Sequence, residues 1–563
     1  MSGGRQGSGN HRLDPITFEL IYAQLLSAAE EMGGVLKRSS FSPIIREMND
    51  FSCALFDRAG DLVAQADYIP AQLGAMSLAV KSTARRWLGS LEPGDVFLAN
   101  HPYMGCMHTP DLNVLMPLFI KGRLFGWTGT TAHHIDVGGV NPGTEGADLR
   151  QLYAEGLVLP PVHLSRRGVE DEDLISIIQS NVRDPFTTLA DLRAQQASCA
   201  LGARRIEEAA GRFGSRAITA AFAQSLDAVE QATRIALREL PDGDGQAEGY
   251  LDDDGVGGPP TRIHALIAKR GDHLTVNLSG SARQVPGALN VPWASTRAAI
   301  VYLVRAMTDP DMVTNDGILR TVDITCPQGS VLNPSPPAAV SVRHNTCQRL
   351  AETLIRAASV IWPERAAASG TVTFFDVNLE SVSPKTGRSS VMMDVVGGGT
   401  GAHSSGDGLD GVDTYMSNVA LLPVEVAETE YAVRILRTEL VEGSQGRGAH
   451  NGGMGIRREY EILSFPQVAT VYGEQTDPRF APEGIRGGGD GSATRISIYH
   501  PDGGALDVPS KVTLRLLPGS VIRVETSGGG GFGDPLQRSA EAAQADVLDG
   551  RIPSPVRNVP LAT

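Results

Sequence analysis

The spacing of apolar residues along the chain changes several times between a helical and a strand period. In residues 14–40, apolar side chains at positions 18, 21, 25, 32 and 36 approximate one face of a helix, and Asp14 and Pro15 are suited to its first positions. Residues 50–66 instead predict two short strands around the Ala59-Gly60 turn. Further along, the pattern predicts a helix over 74–89, strands over 95–137 and two long helices over 185–240, interrupted at 211–214.

After residue 240 the sequence pattern predicts a larger share of strands. "TRIHALIAKRGDHLTVNLSGSA" predicts a hairpin with Gly271 and Asp272 at its turn, and helices are expected near 294–308 and 344–361. The predicted fold class is therefore α+β, with mixed helices and strands in the N-terminal half and a β-rich C-terminal half. We divide the chain into a disordered tail (1–11), an N-terminal metal-site domain with the long helix pair (12–245), a C-terminal β-rich mixed domain (246–540) and a C-terminal tail (541–563).

Composition and charge exclude several classes of protein. The 563 residues are 41% hydrophobic and 20% charged, which is the balance of a soluble globular protein. A formal net charge of -15 would repel a phosphate backbone, so we expect no nucleic-acid partner. No apolar run reaches the roughly 18 residues of a membrane span, and residues 1–12 lack a signal-peptide core. Five dispersed cysteines without a CxxC pair fit reduced thiols in a cytoplasm.

Two short segments carry residues of the types that bind metals. In "GCMHTPDLNV", Pro110 stiffens a loop in which His108 and Asp111 could reach one point. A plain turn, with the aspartate accepting backbone N–H bonds, explains the same residues. In "TAHHIDVGG", His133 and His134 end a predicted strand and therefore project to opposite faces. Only one of them can share a face with the loop, and alternation does not say which; His134 and Asp136 would lie opposite His133.

A second carboxylate would balance the charge of a divalent ion held by two neutral imidazoles and one aspartate. The segment "SPIIREMNDFSCALFD" offers Glu47 and Asp50 just before a strand. On its own, Glu47 is also typical of a solvated or paired surface acid.

Other patterns point away from nucleotide binding and covalent catalysis. Neither a GxxxxGK[ST] loop nor a strand-linked GxGxxG is present, and no GxSxG or SxxK motif supports a serine nucleophile. The glycine-rich segments at 397–411, 443–455, 484–491 and 527–533 are interpreted as tight turns that need positive φ. Arg343, His344 and Asn345 precede a predicted helix, where they could face a cleft or Asn345 could cap the helix.

Several ordered blocks of sequence resemble the hydantoinase B/oxoprolinase family. The resemblance is carried by "SSFSPIIREMNDFSCALFD", "GDVFLANHPYMGCMHTPDLNVLMPLF", "TAHHIDVGG", "GGGTGAHSSGDGLDGVDTYMSNVALLPVEVAE" and "SGGGGFGDP", and it covers nearly the whole chain past residue 12. The chain departs from the family pattern at His101 and at the Cys106-Met107 pair, which leaves the substrate preference of close relatives open here.

The resemblance implies a metal site and a division of labour between subunits. It implies that Glu47, His108, Asp111 and His133 hold one divalent metal, and the N/O donor set suits zinc or manganese, with iron as a further option. It further implies a hetero-oligomer in which an ATP-binding, hydantoinase A-type partner phosphorylates the carbonyl of a small cyclic amide, and water activated by the metal then opens the ring. His134 or Asp136 would orient water or move protons.

Two alternatives stay open at the level of the sequence. The chain could be a subunit of an ATP-dependent carboxylase of the acetone or acetophenone type, in which the same site joins an enolate to carbon dioxide. It could also be a non-catalytic assembly subunit with a structural metal.

Overall fold

A computed structural model describes residues 12–72, 74–373 and 375–552 of the chain. The predicted N-terminal tail, 1–11, and the last part of the predicted C-terminal tail, 553–563, lie outside the described residues. The helices are α1 (Pro15–Ser39), α2 (Pro43–Arg46), α3 (Met76–Trp87), α4 (Glu172–Asn181), α5 (Pro185–Phe213), α6 (Ser215–Arg238), α7 (Trp293–Met307), α8 (Arg343–Ile361), α9 (Val424–Glu430) and α10 (Ala540–Leu548).

The strands fall into one group before residue 171 and a second group after residue 242. The first group comprises β1 (Phe51–Asp57), β2 (Leu62–Ala66), β3 (Val96–Ala99), β4 (Asp111–Ile120), β5 (Arg123–His133), β6 (Val162–Arg166) and β7 (Val169–Glu170). The second comprises β8 (Gly243–Leu251), β9 (Thr261–Arg270), β10 (His273–Asn277), β11 (Val322–Thr325), β12 (Phe375–Val382), β13 (Ser389–Val396), β14 (Val433–Leu440), β15 (Ile456–Ile462), β16 (Gln467–Tyr472), β17 (Arg495–Tyr499), β18 (Ala505–Asp507), β19 (Lys511–Leu516) and β20 (Val521–Glu525).

The predicted elements of the first half are confirmed. In α1, the Asp14 carboxylate accepts a hydrogen bond from Thr17 N at 3.0 Å and Pro15 occupies the first helical turn. The long helix pair is α5 and α6, and the chain turns between them at Gly214, whose φ of 87° is costly for any other residue. The helix-forming composition of 185–240 and its interruption at 211–214 therefore located both long helices and the break between them.

A seven-stranded antiparallel sheet organises the first half, in the order β2-β1-β5-β4-β3-β6-β7. Helices α4 and α5 cover one face, where Leu112 and Val114 of the sheet pack with Leu192 and Cys199. Helix α3 covers the other face, where Leu115 belongs to a separate apolar cluster. Alternating residues of β4 thus enter two different cores, which is why the strand reads as a nearly continuous apolar run.

Three smaller sheets build the second half and confirm the α+β class. Their orders are β11-β10-β9-β8, β13-β12-β16-β19 and β14-β15-β20-β17-β18. Helix α8 packs on β8 and β9, and α7 packs on α8. The predicted boundary between residues 245 and 246 falls inside β8, which pairs with β9 alone, so the first half ends before Gly243.

The glycine-rich segments owe their composition mainly to close backbone packing, which corrects the prediction of positive-φ turns. A Cβ on Gly399 would lie 2.0 Å from the carbonyl oxygen of Gly453, and a Cβ on Gly529 would lie 1.8 Å from that of Thr400. Positive φ in these segments is confined to Gly411, Gly443, Gly487 and Gly533 among their glycines. The four segments therefore pack against one another at distances that exclude side chains.

The described part of the predicted C-terminal tail is folded. Helix α10 lies at 540–548, and its Asp546 carboxylate forms an ion pair with Arg538 at 2.6 Å. Within the ranges given above, none of the helices combines the length and apolar character that crossing a membrane requires.

Candidate metal centre

Three adjacent strands of the seven-stranded sheet bring two of the predicted ligands and Asp50 together at their ends. Asp111, the first residue of β4, lies directly opposite His133, the last residue of β5, in the antiparallel register. On the other side of β5, the N–H of His133 donates to the carbonyl of Asp50 at 3.1 Å, just before β1 begins. Side chains at paired positions share a face and lie within about 5.5 Å at Cβ. The fold therefore gathers three polar residues that are up to 83 positions apart.

His108 joins this cluster with a defined tautomer. Its Nδ1 lies 2.9 Å from the carbonyl oxygen of Ser341, which can only accept, so Nδ1 carries the proton. In a neutral ring the Nε2 atom then carries the lone pair, and it lies 3.0 Å from Asp111 Oδ2. This second contact does not have hydrogen-bond geometry. Two acceptors thus face each other in a buried site, an arrangement that repels unless a cation lies between them.

His133 is oriented by a carboxylate from a neighbouring loop. Its Nε2 lies 3.4 Å from Glu145 Oε1, and its Nδ1 is buried with no hydrogen-bond partner among the described residues. Because a carboxylate accepts, the proton sits on Nε2 and the Nδ1 lone pair is available to an ion. A histidine held by a carboxylate behind it is the usual outer arrangement of a metal site.

The electrostatics of the cluster favour a cation. Burial opposes protonation of His133, but Glu145, Asp50 and Asp111 outweigh it and raise the pKa of His133 to about 9. Burial raises the pKa of Asp50 to about 6, with His133 acting in the opposite direction. The potential that would hold a proton on His133 would equally attract a metal ion.

Helix α8 presents its first turn to the same place. Arg343 Nη2 donates to Asp111 Oδ2 at 2.9 Å; burial favours the neutral acid, but His108 and Arg343 hold the pKa of Asp111 well below its usual range. His344 Nδ1 lies 3.9 Å from Glu145 Oε1, and burial lowers the pKa of His344 to about 3. Val342 occupies the N-cap position, so Asn345 lies within the helix and the capping interpretation was wrong.

Tyr472 and Asp376 lie next to Glu145 in the buried interior. The Tyr472 hydroxyl is hydrogen-bonded to both Glu145 and Asp376. Burial and the charge of Glu145 raise the pKa of Asp376 well above its usual value. The single hydroxyl proton of Tyr472 can be donated to only one of these two carboxylates at a time. Although burial opposes it, the nearby histidines, His344 first, keep the pKa of Glu145 low.

A small cavity adjoins the cluster. The space that it leaves for water-sized molecules is about 30 Å³, roughly two waters. Its lining combines polar and apolar side chains and includes two glutamines. The lining residues are Asp50, Ile69, Ala71, Gln72, His108, His133, Glu145, Arg343, His344, Cys347, Gln348, Met393, Met416, Ser417 and Val419.

The structure does not bring Glu47 to the cluster. Glu47 ends the short helix α2, and its carboxylate pairs at 2.8 Å with Arg46, where its side chain is 32% exposed. Asn49 adopts a φ of 62° and turns the chain, so that Asp50 rather than Glu47 lines the cavity. Both acids belong to the same sequence segment, and the local turn decides between them.

His134 and Asp136 also lie outside the cavity. His134 Nε2 contacts Gln195 Oε1 of α5 at 2.9 Å, on the opposite face from His133, as strand alternation requires. Asp136 accepts hydrogen bonds from the backbone of Gly138 and from the Arg183 guanidinium, at 2.9 and 2.8 Å. Both side chains are thereby engaged in holding loops and α5 in place.

Sequence reasoning missed Glu145, Asp376 and Tyr472. Glu145 lies in a glycine-rich loop, and Tyr472 is 327 positions away from it. The available signal was period-2 alternation: Asp376, Asn378 and Glu380 alternate with apolar residues in β12.

Two overlapping groups of side chains have the spacing of a metal site. His108, Asp111 and His133 form one, and His108, Glu145 and His344 form the other. In the first group, His108 Nε2 and His133 Nδ1 have no hydrogen-bond partner among the described residues, while Asp111 Oδ2 accepts from Arg343. Neutral imidazoles with carboxylates suit zinc, manganese or iron.

Comparisons with known proteins agree with this architecture. The sequence model of the hydantoinase B/oxoprolinase family matches residues 14–535. A relative from Pseudomonas sp. strain NS671, named for the B component of a D-/L-hydantoinase, is 33% identical over 563 aligned positions, covering 96% of this chain and 93% of that protein.

Solved structures show the same fold. The ATP-dependent caprolactamase from Pseudomonas jessenii superposes with a TM-score of 0.89 at 29% identity, over 96% of this chain and 95% of that one. A nucleotide-free acetone carboxylase superposes with a TM-score of 0.87 at 19% identity, over 96% and 78%, which is a likeness of fold alone. On the family match, this chain belongs to the hydantoinase B/oxoprolinase family.

Proposed function

We propose that the chain is the metal-bearing, B-type component of an ATP-dependent hydantoinase or lactamase that hydrolyses a cyclic amide. The observation that carries the proposal is the bare Nε2 of His108, which faces Asp111 Oδ2 at 3.0 Å without hydrogen-bond geometry. A buried pair of acceptors at that distance fits a cation between them.

The proposed ligands are Asp50, His108, Asp111 and His133, with Asp50 in the place first predicted for Glu47. Asp50, Asp111 and Glu145 bring three carboxylates to the cluster, and Arg343 is the one fixed cation among the cavity-lining residues described. A divalent ion would neutralise the remaining charge. When bound, it would supply a water of lowered pKa and polarise a carbonyl oxygen.

The surrounding residues prepare the site for that role. Ser341 and Glu145 fix the tautomers of His108 and His133, so that each presents a lone pair to the ion. Arg343 donates a hydrogen bond from Nη2 to Asp111, while its Nε is buried without a partner among the described residues. That Nε–H is suited to stabilise a negative oxygen that develops on the substrate.

An ATP-binding partner fits the chemistry. A cyclic amide is a poor electrophile, and the related caprolactamase is named as ATP-dependent. This sequence contains neither phosphate-binding motif. We therefore propose a hydantoinase A-type subunit that phosphorylates the carbonyl oxygen, with ring opening at the cavity of this chain, in a hetero-oligomer.

A carboxylase subunit is the second candidate, favoured by the fold shared with acetone carboxylase. An assembly subunit with a structural metal is the third. Co-expression with the partner followed by assays on hydantoin, 5-oxoproline and ε-caprolactam separates them. ATP-dependent ring opening supports the proposal, and bicarbonate-dependent product from a ketone supports the carboxylase. Turnover of a cyclic amide by this chain alone, without ATP, contradicts the two-subunit scheme.

A further inference from the structure

Two buried glutamines are among the residues that line the cavity. Gln72 ends a short 3-10 turn, Pro70–Gln72, and Gln348 lies in α8; each is 1% exposed. Gln72 Nε2 donates to Asp50 Oδ1 at 3.1 Å, and Gln348 Oε1 accepts from Met416 N at 2.8 Å. Because a carboxylate only accepts and a backbone N–H only donates, these bonds distinguish the nitrogen from the oxygen in each side-chain amide.

The second polar atom of each side-chain amide is unpartnered among the described residues. Gln72 Oε1 and Gln348 Nε2 are buried and have no hydrogen-bond partner within the part of the chain that the structure describes. An unsatisfied buried acceptor and donor destabilise a fold, and natural proteins retain them chiefly where a ligand or ordered water completes them. Because both glutamines line the cavity together with the proposed ligands Asp50, His108 and His133, the lining contains one unpartnered acceptor and one unpartnered donor.

We propose that Gln72 Oε1 and Gln348 Nε2 recognise the cis amide of the cyclic substrate, an inference that rests on the proposed function. A small ring forces its amide to be cis, so the N–H and C=O groups point along one edge. The ring N–H donates to Gln72 Oε1, and the carbonyl oxygen accepts from Gln348 Nε2. The site therefore takes secondary cyclic amides and discriminates against rings in which the nitrogen carries a carbon substituent.

The same pairing is compatible with activation by phosphorylation. When the carbonyl oxygen takes the phosphoryl group, the ring nitrogen keeps its proton and the C–N bond gains double-bond character and positive charge. An acceptor at that N–H favours the protonated form, whose carbon is the better electrophile. Gln348 Nε2 then faces an oxygen that still accepts.

The apolar side chains of the lining are suited to contact the rest of the ring. About 30 Å³ does not hold a lactam, but Met393 and Met416 form part of the lining and have flexible, unbranched side chains. Ser417 also lines a second cavity, of about 370 Å³. The ring would enter from that side as Met416 changes rotamer.

The test measures binding to the metal-loaded chain by ligand-observed NMR or calorimetry, with metal content measured for every variant. The probes are 2-pyrrolidinone and ε-caprolactam, each compared with its N-methyl counterpart. In the unaltered chain we expect the secondary amides to bind at least about tenfold more tightly, a factor that corresponds to about 1.4 kcal/mol. Gln72→Met should reduce this preference to near parity.

A second variant, at Gln348, leaves the hydrogen bond from Gln72 to Asp50 intact. Gln348→Glu keeps the acceptor for Met416 N and replaces the free donor by an acceptor, so lactam affinity should fall at least about tenfold with metal content unchanged. Gln467→Met is the matched control, because Gln467 is buried with an unpartnered Oε1 but does not line this cavity. Its lactam binding should equal that of the unaltered chain.

Two results would overturn the inference: equal binding of N-methyl and secondary lactams, or unchanged lactam affinity in both cavity variants. If the chain with its partner still opens cyclic amides with ATP, the proposed function survives that failure. If neither lactam binding nor ring opening is found with full metal content, both the inference and the proposed function are overturned.

Discussion

Asp111 and His133 lie directly opposite each other where β4 begins and β5 ends. This pairing brings two segments that are far apart in sequence to one side of a buried cluster. Asp50, which directly precedes β1, joins them there. The proximity of these three residues is thus set by the register of the sheet. A slip of one residue in the pairing would turn His133 away and bring His134 to the cluster.

The choice between Asp50 and Glu47 as a ligand can be tested by substitution. Asp50→Asn should weaken metal affinity by more than about 100-fold, because it removes a direct charged ligand, and substitutions in outer partners alone cost about 10–100-fold. Glu47→Gln should leave affinity unchanged, since Glu47 pairs with Arg46 at the surface. Competition titration with a chelating dye measures both. The reverse order of effects would restore Glu47 as the ligand.

Glu155 is expected to position His108 indirectly. Its Oε1 accepts from the backbone N–H groups of Val340 and Ser341, at 2.6 and 2.8 Å, and Ser341 in turn holds His108 Nδ1. Glu155→Ala should lower metal affinity about 10–100-fold. Glu155→Gln retains an acceptor and should preserve most of it. If both variants bind metal like the unaltered chain, the backbone at 340–341 does not depend on Glu155.

Asp413 should give the stability a specific pH dependence. Burial raises the pKa of Asp413 from 3.8 to about 7, so between these values the folded state binds a proton that the unfolded state has lost. The free energy of unfolding therefore falls as pH rises from about 4 to about 7, by a total on the order of 4 kcal/mol, and is flat above.

Asp413→Asn removes this contribution. The Tm of the variant minus that of the unaltered chain should increase between pH 5 and pH 8, as measured by calorimetry in one buffer series. A difference that stays constant, or that shrinks with rising pH, would mean that Asp413 is ionised in the folded protein.

The glycine packing predicts a strong asymmetry between two alanine substitutions. Gly529→Ala should destabilise the protein by at least about 3 kcal/mol, because its Cβ would meet the backbone of Thr400 at 1.8 Å. Gly211→Ala in α5 meets nothing within 4 Å and should stabilise by up to about 1 kcal/mol. Denaturant midpoints measure both. Similar midpoints for the two variants would show that the glycine segments are not packed as described.

The periodic elements and the two metal-type motifs could be predicted from sequence because their signals are local. The capped helix α1, the break at Gly214 and the alternation that separates His133 from His134 each depend on a few neighbouring residues. These predictions use the same physics that forms the elements.

The rest of the site depends on contacts that local patterns do not encode. The turn at Asn49 decides between Glu47 and Asp50 through a single left-handed residue. Tyr472 reaches Glu145 across 327 positions, and the register of the strands fixes where they meet. The glycine segments were misinterpreted for the same reason, since a close approach between distant backbones leaves no local signature.

The most direct test of the metal centre is a crystal structure of the metal-loaded chain with anomalous diffraction recorded at the absorption edge of the bound ion. The account predicts one strong anomalous peak bound by Asp50, His108 Nε2, Asp111 and His133 Nδ1. An ion bound by His108, Glu145 and His344 instead, or no ion at the strand ends in a chain with stoichiometric metal, would contradict it.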